Sequence, residues 1–286
     1  MRTYLDCIPC FFKQALYTAD CAGADEQTKK KIIDDVAKLI PHIPLGTPPP
    51  QTARIIYHII RTHTNSIDPF GQLKKESNKR ALDIYPFLKN TVKKSPDKLL
   101  TAIQIAIAGN IIDYGAKHSL DMEKELDNIL NGSFAVANQD IFHYAQFKAD
   151  LEKSQTILYL ADNAGELVFD RILMEQISPT KNITVAVKDK PAINDALMAD
   201  ATQCGIHAIA EVISNGYDAP GTILKYCSDK FLSAFHNADM IISKGQGNFE
   251  TLSDEKAPIY FLFKVKCPVV ANHINAPVNS MVLKKS

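Results

Sequence analysis

Residues 156–177 read TILYLADNAGELVFDRILMEQI, and this stretch decides the fold class. TILYLA is a short, apolar, β-prone run, DNAGE turns the chain, and LVFDRILMEQI has the apolar spacing of a helix. The unit recurs where ITVAVK leads to a helical stretch around residues 196–203, and where MIISK leads to GQGNFE. Short apolar strands that alternate with helices predict a mainly parallel sheet with helices on both faces. We therefore expect a three-layer α/β core.

The amino-terminal half has helical periodicity instead. Apolar residues recur at helical spacing in two segments, at Leu5, Ile8, Phe12 and Leu16 and at Ile32, Ile33, Val36 and Leu39. The prolines of GTPPPQT should interrupt the helices, which resume at about residue 53 and continue, with breaks near residues 68 and 95, to about residue 114. We predict a mainly helical region over residues 1–150 and an α/β core over residues 151–286, with its last strands in PIYFLFK and CPVVAN.

Composition excludes several classes of partner. The 286 residues include 32 Lys and Arg and 32 Asp and Glu, and this balance does not predict binding to nucleic acid or to an anionic membrane. No segment reaches the roughly 18 consecutive apolar residues of a membrane span. The amino terminus lacks the apolar stretch of a secretory signal, and six cysteines are too sparse for a disulfide scaffold. We expect a cytoplasmic protein, whose oligomeric state the sequence leaves unknown.

Polar residues follow three of the predicted strands. Asp162 and Asn163 come directly after the first strand, and Asp195 follows the second. Since the carboxyl ends of parallel strands meet at one edge of the sheet, these oxygen donors could form a site for Mg²⁺, Mn²⁺ or a similar cation. The alternative is that Asp162 and Asn163 only cap the following helix.

The third strand ends in a lysine and a glycine-rich turn. Lys244, Gly245 and Gly247 resemble a phosphate cradle, in which glycines let backbone amides approach an anion. GQGN matches neither the dinucleotide nor the P-loop fingerprint. The alternative is a simple turn after a strand.

Two cysteines near the amino terminus have C-x-x-C spacing. Cys7 and Cys10 could join Cys267 in a metal, iron–sulfur or redox site, although tetrahedral zinc needs a fourth ligand. The alternative is that they are packed thiols.

DNAGE, KPAIND and KGQGNFE, taken together, resemble the damage-control phosphatases, metal-dependent hydrolases long catalogued as a domain of unknown function, family 89. LDCIPC, AGNIID, ISNGYDAPGT and KVKCPVVA are similar to the branch with an amino-terminal C-x-x-C. The resemblance implies a helical region on an α/β core and a divalent cation (Mg, Mn, Co or Ni). It also implies hydrolysis of phosphate monoesters of small or damaged metabolites, such as sugar phosphates or phosphorylated cofactor fragments.

Matching motifs also imply residue roles. The metal ligands are Asp162, Asn163 and Asp195, the catalytic residues are Asp162, Glu166 and Lys244, and the substrate-binding residues are Gly245, Asn248 and Glu250. We expect in-line attack on phosphorus by a metal-held water that Glu166 aligns, with Asp162 as a covalent nucleophile in the competing mechanism. Lys244 is expected to bind phosphate rather than to pair within the protein. The alternative function is a non-hydrolytic nucleotide-binding or methyl-transferring α/β protein.

Overall fold

The computed structural model describes residues 1–109 and 140–286. Its first three helices, which we call the helical cap, are α1 (Cys7–Cys21), α2 (Glu26–Leu39) and α3 (Pro49–Thr64), with a 3-10 turn at Ile40–His42. The cap has its own apolar core, built from Phe11, Ala15, Ala19, Ile32, Val36, Ile56 and Ile60. Two longer helices follow, α4 (Gly71–Lys94) and α5 (Lys98–Ala108), and α6 (Tyr144–Lys153) leads into the sheet.

Six strands form one sheet in the order β3-β2-β1-β4-β5-β6. They are β1 (Thr156–Leu160), β2 (Asn182–Val187), β3 (Glu211–Ser214), β4 (Met240–Lys244), β5 (Ile259–Lys264) and β6 (Met281–Lys285). All pairs are parallel except β5 with β6. The chain leaves central β1 for β2 on one side and later returns to β4 on the other. Ligands bind at such a switch point in open α/β sheets, beyond the carboxyl ends of the strands.

Helices cover both faces of the sheet. One face packs against α4, α5, α6 and α7 (Glu166–Ile177), and the other against α9 (Asp229–Asn237), α10 (Gln246–Leu252) and α11 (Pro268–Ile274). Helix α8 (Met198–Gln203) and 3-10 turns at Ile206–Ala208 and Leu224–Tyr226 complete the described elements. The predicted α/β class with a mainly parallel sheet is confirmed. The division of the chain at residue 150 stays a prediction, and α4 and α5 pack on the sheet rather than in the cap core.

Two local predictions were wrong. CPVVAN is not a strand: Pro268 occupies the first position of α11, where its missing N–H costs no hydrogen bond. Proline likewise begins α3 at Pro49, four residues before the predicted start. The helix that the spacing predicts near the amino terminus is present as α1; its buried side chains include Phe11 and Ala15, whereas Leu16, and Leu5 just before the helix, are exposed. Strands β3 and β6 were not predicted.

Some expectations concern residues beyond the description. Residues 110–113 of AGNIID, and the helix predicted to continue to about residue 114, lie outside the described residues. Within residues 1–109 and 140–286, no helix is both long enough and apolar enough to cross a membrane. The cytoplasmic location stays a prediction.

Candidate functional site

The ends of β1 and β2 are joined by backbone hydrogen bonds. The amide of Ala164 donates to the carbonyl of Asn194 at 2.9 Å, and the amide of Ala196 donates to the carbonyl of Asp162 at 2.8 Å. Asn163 and Asp195 thereby form an isolated antiparallel bridge. The bridge brings together the two loops that carry all three predicted metal ligands, as the strand-end argument expected.

Asp162 and Asn163 do not cap the next helix. No side chain caps α7, so the capping alternative is not what the structure shows. Instead, Asn163 Nδ2 donates to Asp162 Oδ2 at 2.9 Å and to Glu166 Oε1 at 2.6 Å. Burial raises the pKa of the Asp162 carboxyl well above its usual range, and the nearby charges of Glu166 and Asp195 raise it further.

Asp195 has an incompletely bonded carboxylate. The residue is 3% exposed, and its Oδ2 has no hydrogen-bond partner among the described residues, although the buried ammonium of Lys188 lies 3.5 Å away. Lys188 donates its hydrogen bond to the Gly221 carbonyl. Burial raises the pKa of Asp195 to about 6, against the opposing charge of Lys188.

These observations fit a divalent cation. A half-buried and a buried carboxylate, both with a raised pKa, lie beside an amide side chain. They are an oxygen donor set of the kind that hard cations prefer. Ligation through Asn163 Oδ1 would require its amide to rotate, because the nitrogen now faces Asp162. Across residues 1–109 and 140–286, no three His, Cys, Asp or Glu side chains form a ready metal cluster, and the role of Asn163 as a third ligand stays a prediction.

Lys244 and Glu166 lie behind Asp162, in the protein interior. Lys244 is 1% exposed, and its Nζ donates to Asp170 Oδ1 at 2.5 Å and to the Ala106 carbonyl at 2.8 Å, with Glu166 Oε2 at 3.4 Å. Burial disfavours the charged lysine, but attraction to Asp170 and Glu166 outweighs it and raises the pKa of Lys244. The expectation that Lys244 would not pair within the protein is therefore corrected, and direct contact with phosphate stays a prediction.

Glu166 is engaged on both oxygens. It is 5% exposed, with Oε1 bonded to Asn163 and Oε2 facing Lys244. Glu166 therefore holds the side chain of Asn163 in place by accepting its hydrogen bond. Its predicted alignment of an attacking water stays a prediction.

Gly245 and Asn248 hold the strand ends together. Gly245 has φ +82°, and a Cβ there would lie 2.1 Å from Asp162 Cγ, so only glycine fits beside the carboxylate. Its amide donates to the Leu262 carbonyl. Asn248 Nδ2 donates to the carbonyls of Lys244 and Ala161, and its Oδ1 accepts from the Thr222 hydroxyl. The Gly245 amide and the Asn248 side chain are thus already hydrogen-bonded within the protein. Contact of either residue with substrate stays a prediction.

A cleft of about 630 Å³ opens above the three predicted ligands. The helical cap forms its far wall, and Asp162, Asn163 and Asp195 lie at its floor. Glu250 also lines it, where burial raises the pKa of this carboxyl to about 7 while Gln246 donates to it at 2.8 Å. The predicted site residues are therefore divided between the cleft and its buried support.

Lys266 is a cleft residue that the sequence reasoning missed. Among the described residues that line the cleft it is the only lysine or arginine, it is exposed, and its charge opposes the raised pKa of Asp162. It lies two residues after the end of β5, so examining polar residues after every predicted strand would have found it.

Ile193 was also missed. Its φ is +48°, a left-handed conformation that is unfavourable for a β-branched residue. Its side chain packs against the cap core, and its backbone lies two residues before Asp195. Strain of this kind often occurs at functional sites. Here the strained residue connects the cap to the loop that carries the predicted ligand Asp195.

The three cysteines share the cleft without forming a cluster. Cys7, Cys10 and Cys267 all line it as free thiols, and burial raises the pKa of Cys7 and Cys10, which disfavours the thiolate. In the part of the chain that the structure describes, they do not belong to any group of three side chains that could hold a metal ion.

Known proteins resemble this chain over nearly its whole length. A damage-control phosphatase of Pyrococcus horikoshii is 31% identical and covers 100% of this chain and 99% of its own. A damage-control phosphatase of Archaeoglobus fulgidus is 31% identical over 97% of both chains, and a protein of Methanocaldococcus jannaschii is 34% identical over 98% of this chain and 94% of its own.

The fold agrees as well. The crystal structure of a DUF89 family protein from Pyrococcus horikoshii matches with a TM-score of 0.91 at 30% identity, covering 100% of this chain and 99% of that one. Residues 3–282 match the damage-control phosphatase ARMT1-like domain. The resemblance predicted from the motifs is confirmed, and the chain belongs to the ARMT1-like family of damage-control phosphatases.

Proposed function

We propose that this protein hydrolyses phosphate monoesters of small metabolites with the help of a divalent cation. The observation that carries the proposal is the pair Asp162 and Asp195, one half-buried and one buried carboxylate at the floor of a cleft, of which Asp195 keeps an oxygen without a hydrogen bond among the described residues. A cation held by Asp162, Asn163 and Asp195, of which Mg²⁺ and Mn²⁺ are the first candidates, would supply positive charge to the phosphoryl oxygens.

The protein's own residues would do the positioning. Lys266 would neutralise phosphate charge from the open side of the cleft, where it can reach an entering substrate. Lys188 lies against Asp195, and Asn163 bridges Asp162 to Glu166, so the carboxylates keep fixed positions. Because phosphoryl transfer depends mainly on positioning and charge, a fixed donor set and a nearby cation suit this chemistry.

The attacking group can be water or the Asp162 carboxylate itself. Asp162 lines the cleft and can meet phosphorus directly, whereas Glu166 lies behind the cleft surface. Trapping of a phosphorylated enzyme in rapid-quench experiments would distinguish the two routes. Family membership over residues 3–282 does not favour the non-hydrolytic nucleotide-binding or methyl-transferring alternative.

A chelation experiment tests the proposal. Hydrolysis of an aryl phosphate should stop after treatment with a chelator and return on addition of Mg²⁺, Mn²⁺, Co²⁺ or Ni²⁺. Asp195→Asn should stay inactive under every cation, while Asp189→Asn, a change in the same loop outside the cleft lining, should behave as wild type. Hydrolysis that is indifferent to chelation would contradict the metal requirement.

A further inference from the structure

Arg61 lies where three parts of the chain meet. It belongs to the last turn of α3, in the helical cap. Its Nη1 donates to the Pro191 carbonyl at 3.3 Å, in the loop after β2, and its Nη2 lies 3.5 Å from Asp218 Oδ2, in the loop after β3. The side chain is 21% exposed, so solvent screens these contacts only in part. One guanidinium therefore joins the cap to both loops.

The loop after β2 carries a predicted metal ligand. We call residues 189–195 the ligand loop, because it ends at Asp195. The loop closes in a tight turn, in which the amide of Asp195 donates to the Ala192 carbonyl at 3.0 Å. Ile193 lies within this turn in its left-handed conformation and packs against the cap core. A strained turn of this kind persists only where its surroundings hold it.

The ligand loop is held from two sides. On the side of the sheet, the amide of Ala164 donates to the Asn194 carbonyl and the amide of Asp189 donates to the Tyr217 carbonyl. On the side of the cap, Arg61 bonds the loop four residues before Asp195. The position of Asp195 therefore depends on the cap as well as on the sheet.

We propose that Arg61 is a positioning residue for the cation site. By joining α3 to the ligand loop, it fixes the backbone that carries Asp195, so the helical cap takes part in cation binding besides forming a wall of the cleft. This inference rests on the proposed cation site and deepens it. Arg61 itself lies outside the cleft lining, so it is assigned no contact with substrate.

The sign of the effect separates position from charge. A cationic side chain near a cation site repels the cation, so removal of the Arg61 charge alone would leave Mn²⁺ binding unchanged or make it tighter. Mg²⁺ and similar cations demand nearly ideal ligand geometry, so a shift of the ligand loop would make binding weaker. Weaker binding after loss of a positive charge is therefore the mark of a positioning role.

Arg61→Met tests the proposal, with Arg54→Met as the matched control. Arg54 lies two turns earlier on α3 and pairs with the same Asp218, but among the described residues it donates no hydrogen bond to the ligand loop. Groups that orient a metal ligand directly affect affinity by about 10-fold to 100-fold, and Arg61 acts one step further away. Titration calorimetry should therefore show Mn²⁺ binding about fivefold to tenfold weaker in Arg61→Met and unchanged in Arg54→Met.

Two further measurements distinguish positioning from a general loss of structure. Hydrogen exchange at the amides of Asp195 and Ala196 should become faster in Arg61→Met and stay as in wild type in Arg54→Met. At saturating Mn²⁺, kcat of Arg61→Met for an aryl phosphate should return to within about twofold of wild type, since Arg61 does not touch the substrate. Arg61→Lys retains the charge but not the planar fork that makes both contacts. It should weaken Mn²⁺ binding at least about threefold, and it carries the test if Arg61→Met does not fold.

The inference and the proposed function fail differently. If wild type bound no Mn²⁺, the cation site would be refuted, and the role of Arg61 with it. If wild type bound Mn²⁺ and the folded Arg61 variants bound it equally or more tightly, Arg61 would act only through its charge or as a support of the helix end, and the positioning role would be overturned. Equal weakening in Arg61→Met and Arg54→Met would assign the effect to Asp218 and overturn the path through Pro191.

Discussion

Lys244 Nζ lies 2.5 Å from Asp170 Oδ1, and neither side chain is more than 1% exposed. The Tyr159 hydroxyl donates to the same oxygen of Asp170 at 2.9 Å. On its other side Lys244 faces Glu166, whose second oxygen accepts from Asn163, the neighbour of Asp162. A buried chain of charges and hydrogen bonds therefore supports the cleft floor from within.

Lys244→Met should destabilise the protein strongly, because Asp170 would keep a buried charge without its partner. The expected loss in free energy of unfolding is about 3–5 kcal/mol, measured by urea denaturation. Adding Asp170→Leu should recover part of it, since both charges are then gone. Lys230→Met, at an exposed pair with Glu211, should cost less than about 1 kcal/mol. A Lys244→Met protein as stable as Lys230→Met but inactive on phosphate esters would show that Lys244 serves the substrate directly.

At Ile193, glycine should be more stable than alanine. Both replacements remove the packing on the cap, but only glycine accepts φ +48° without strain, so Ile193→Gly should exceed Ile193→Ala by about 1 kcal/mol in unfolding free energy. At Ile209, where φ is −131°, the order should reverse. If alanine were the more stable replacement at both positions, the left-handed backbone would carry no strain.

Glu250 should make stability depend on pH. Burial raises its pKa to about 7, so the folded protein binds this proton more tightly than the unfolded chain does. The contribution of protonated Glu250 to the free energy of unfolding is full below the unfolded pKa of about 4.5 and is lost as pH rises through about 7. Relative to Glu250→Gln, wild type should lose about 1–3 kcal/mol of unfolding free energy over that interval. If the difference in unfolding free energy between wild type and Glu250→Gln stayed constant with pH, the pKa of Glu250 would not be raised in the folded protein.

Lys266→Met should impair every phosphate substrate without a large loss of stability, since the side chain is exposed in the cleft. The expected loss in kcat/KM is about 10-fold to 100-fold, the range of a charge-assisted hydrogen bond, and Lys266→Arg should retain part of the activity. Lys264→Met, two residues earlier and outside the cleft lining, is the matched control. Near-normal turnover in Lys266→Met would remove this lysine from the mechanism.

The sequence predicts the centre of the sheet better than its edges. The runs before Asp162, in ITVAVK and in MIISK are continuous and apolar, so β1, β2 and β4 are evident, and strand-end reasoning leads to Asp162, Asn163 and Asp195. Edge strands β3 and β6 are short and partly polar, which weakens their signal.

Long-range pairing explains what the motifs could not reveal. Lys244 ends a strand beside glycines, as a phosphate ligand would, but its partner Asp170 lies on α7, and no local pattern shows that the two meet. The left-handed backbone of Ile193 is equally invisible, because isoleucine is among the residues least expected there.

Direct measurement of cation binding tests the central claim, that Asp162, Asn163 and Asp195 form one metal site. Titration calorimetry with Mn²⁺ should show one bound ion per wild-type chain. Asp162→Asn and Asp195→Asn should weaken binding by at least about 100-fold while circular dichroism stays unchanged, and Asp189→Asn should bind as wild type does. Wild-type affinity for Mn²⁺ in both Asp162→Asn and Asp195→Asn would contradict the account.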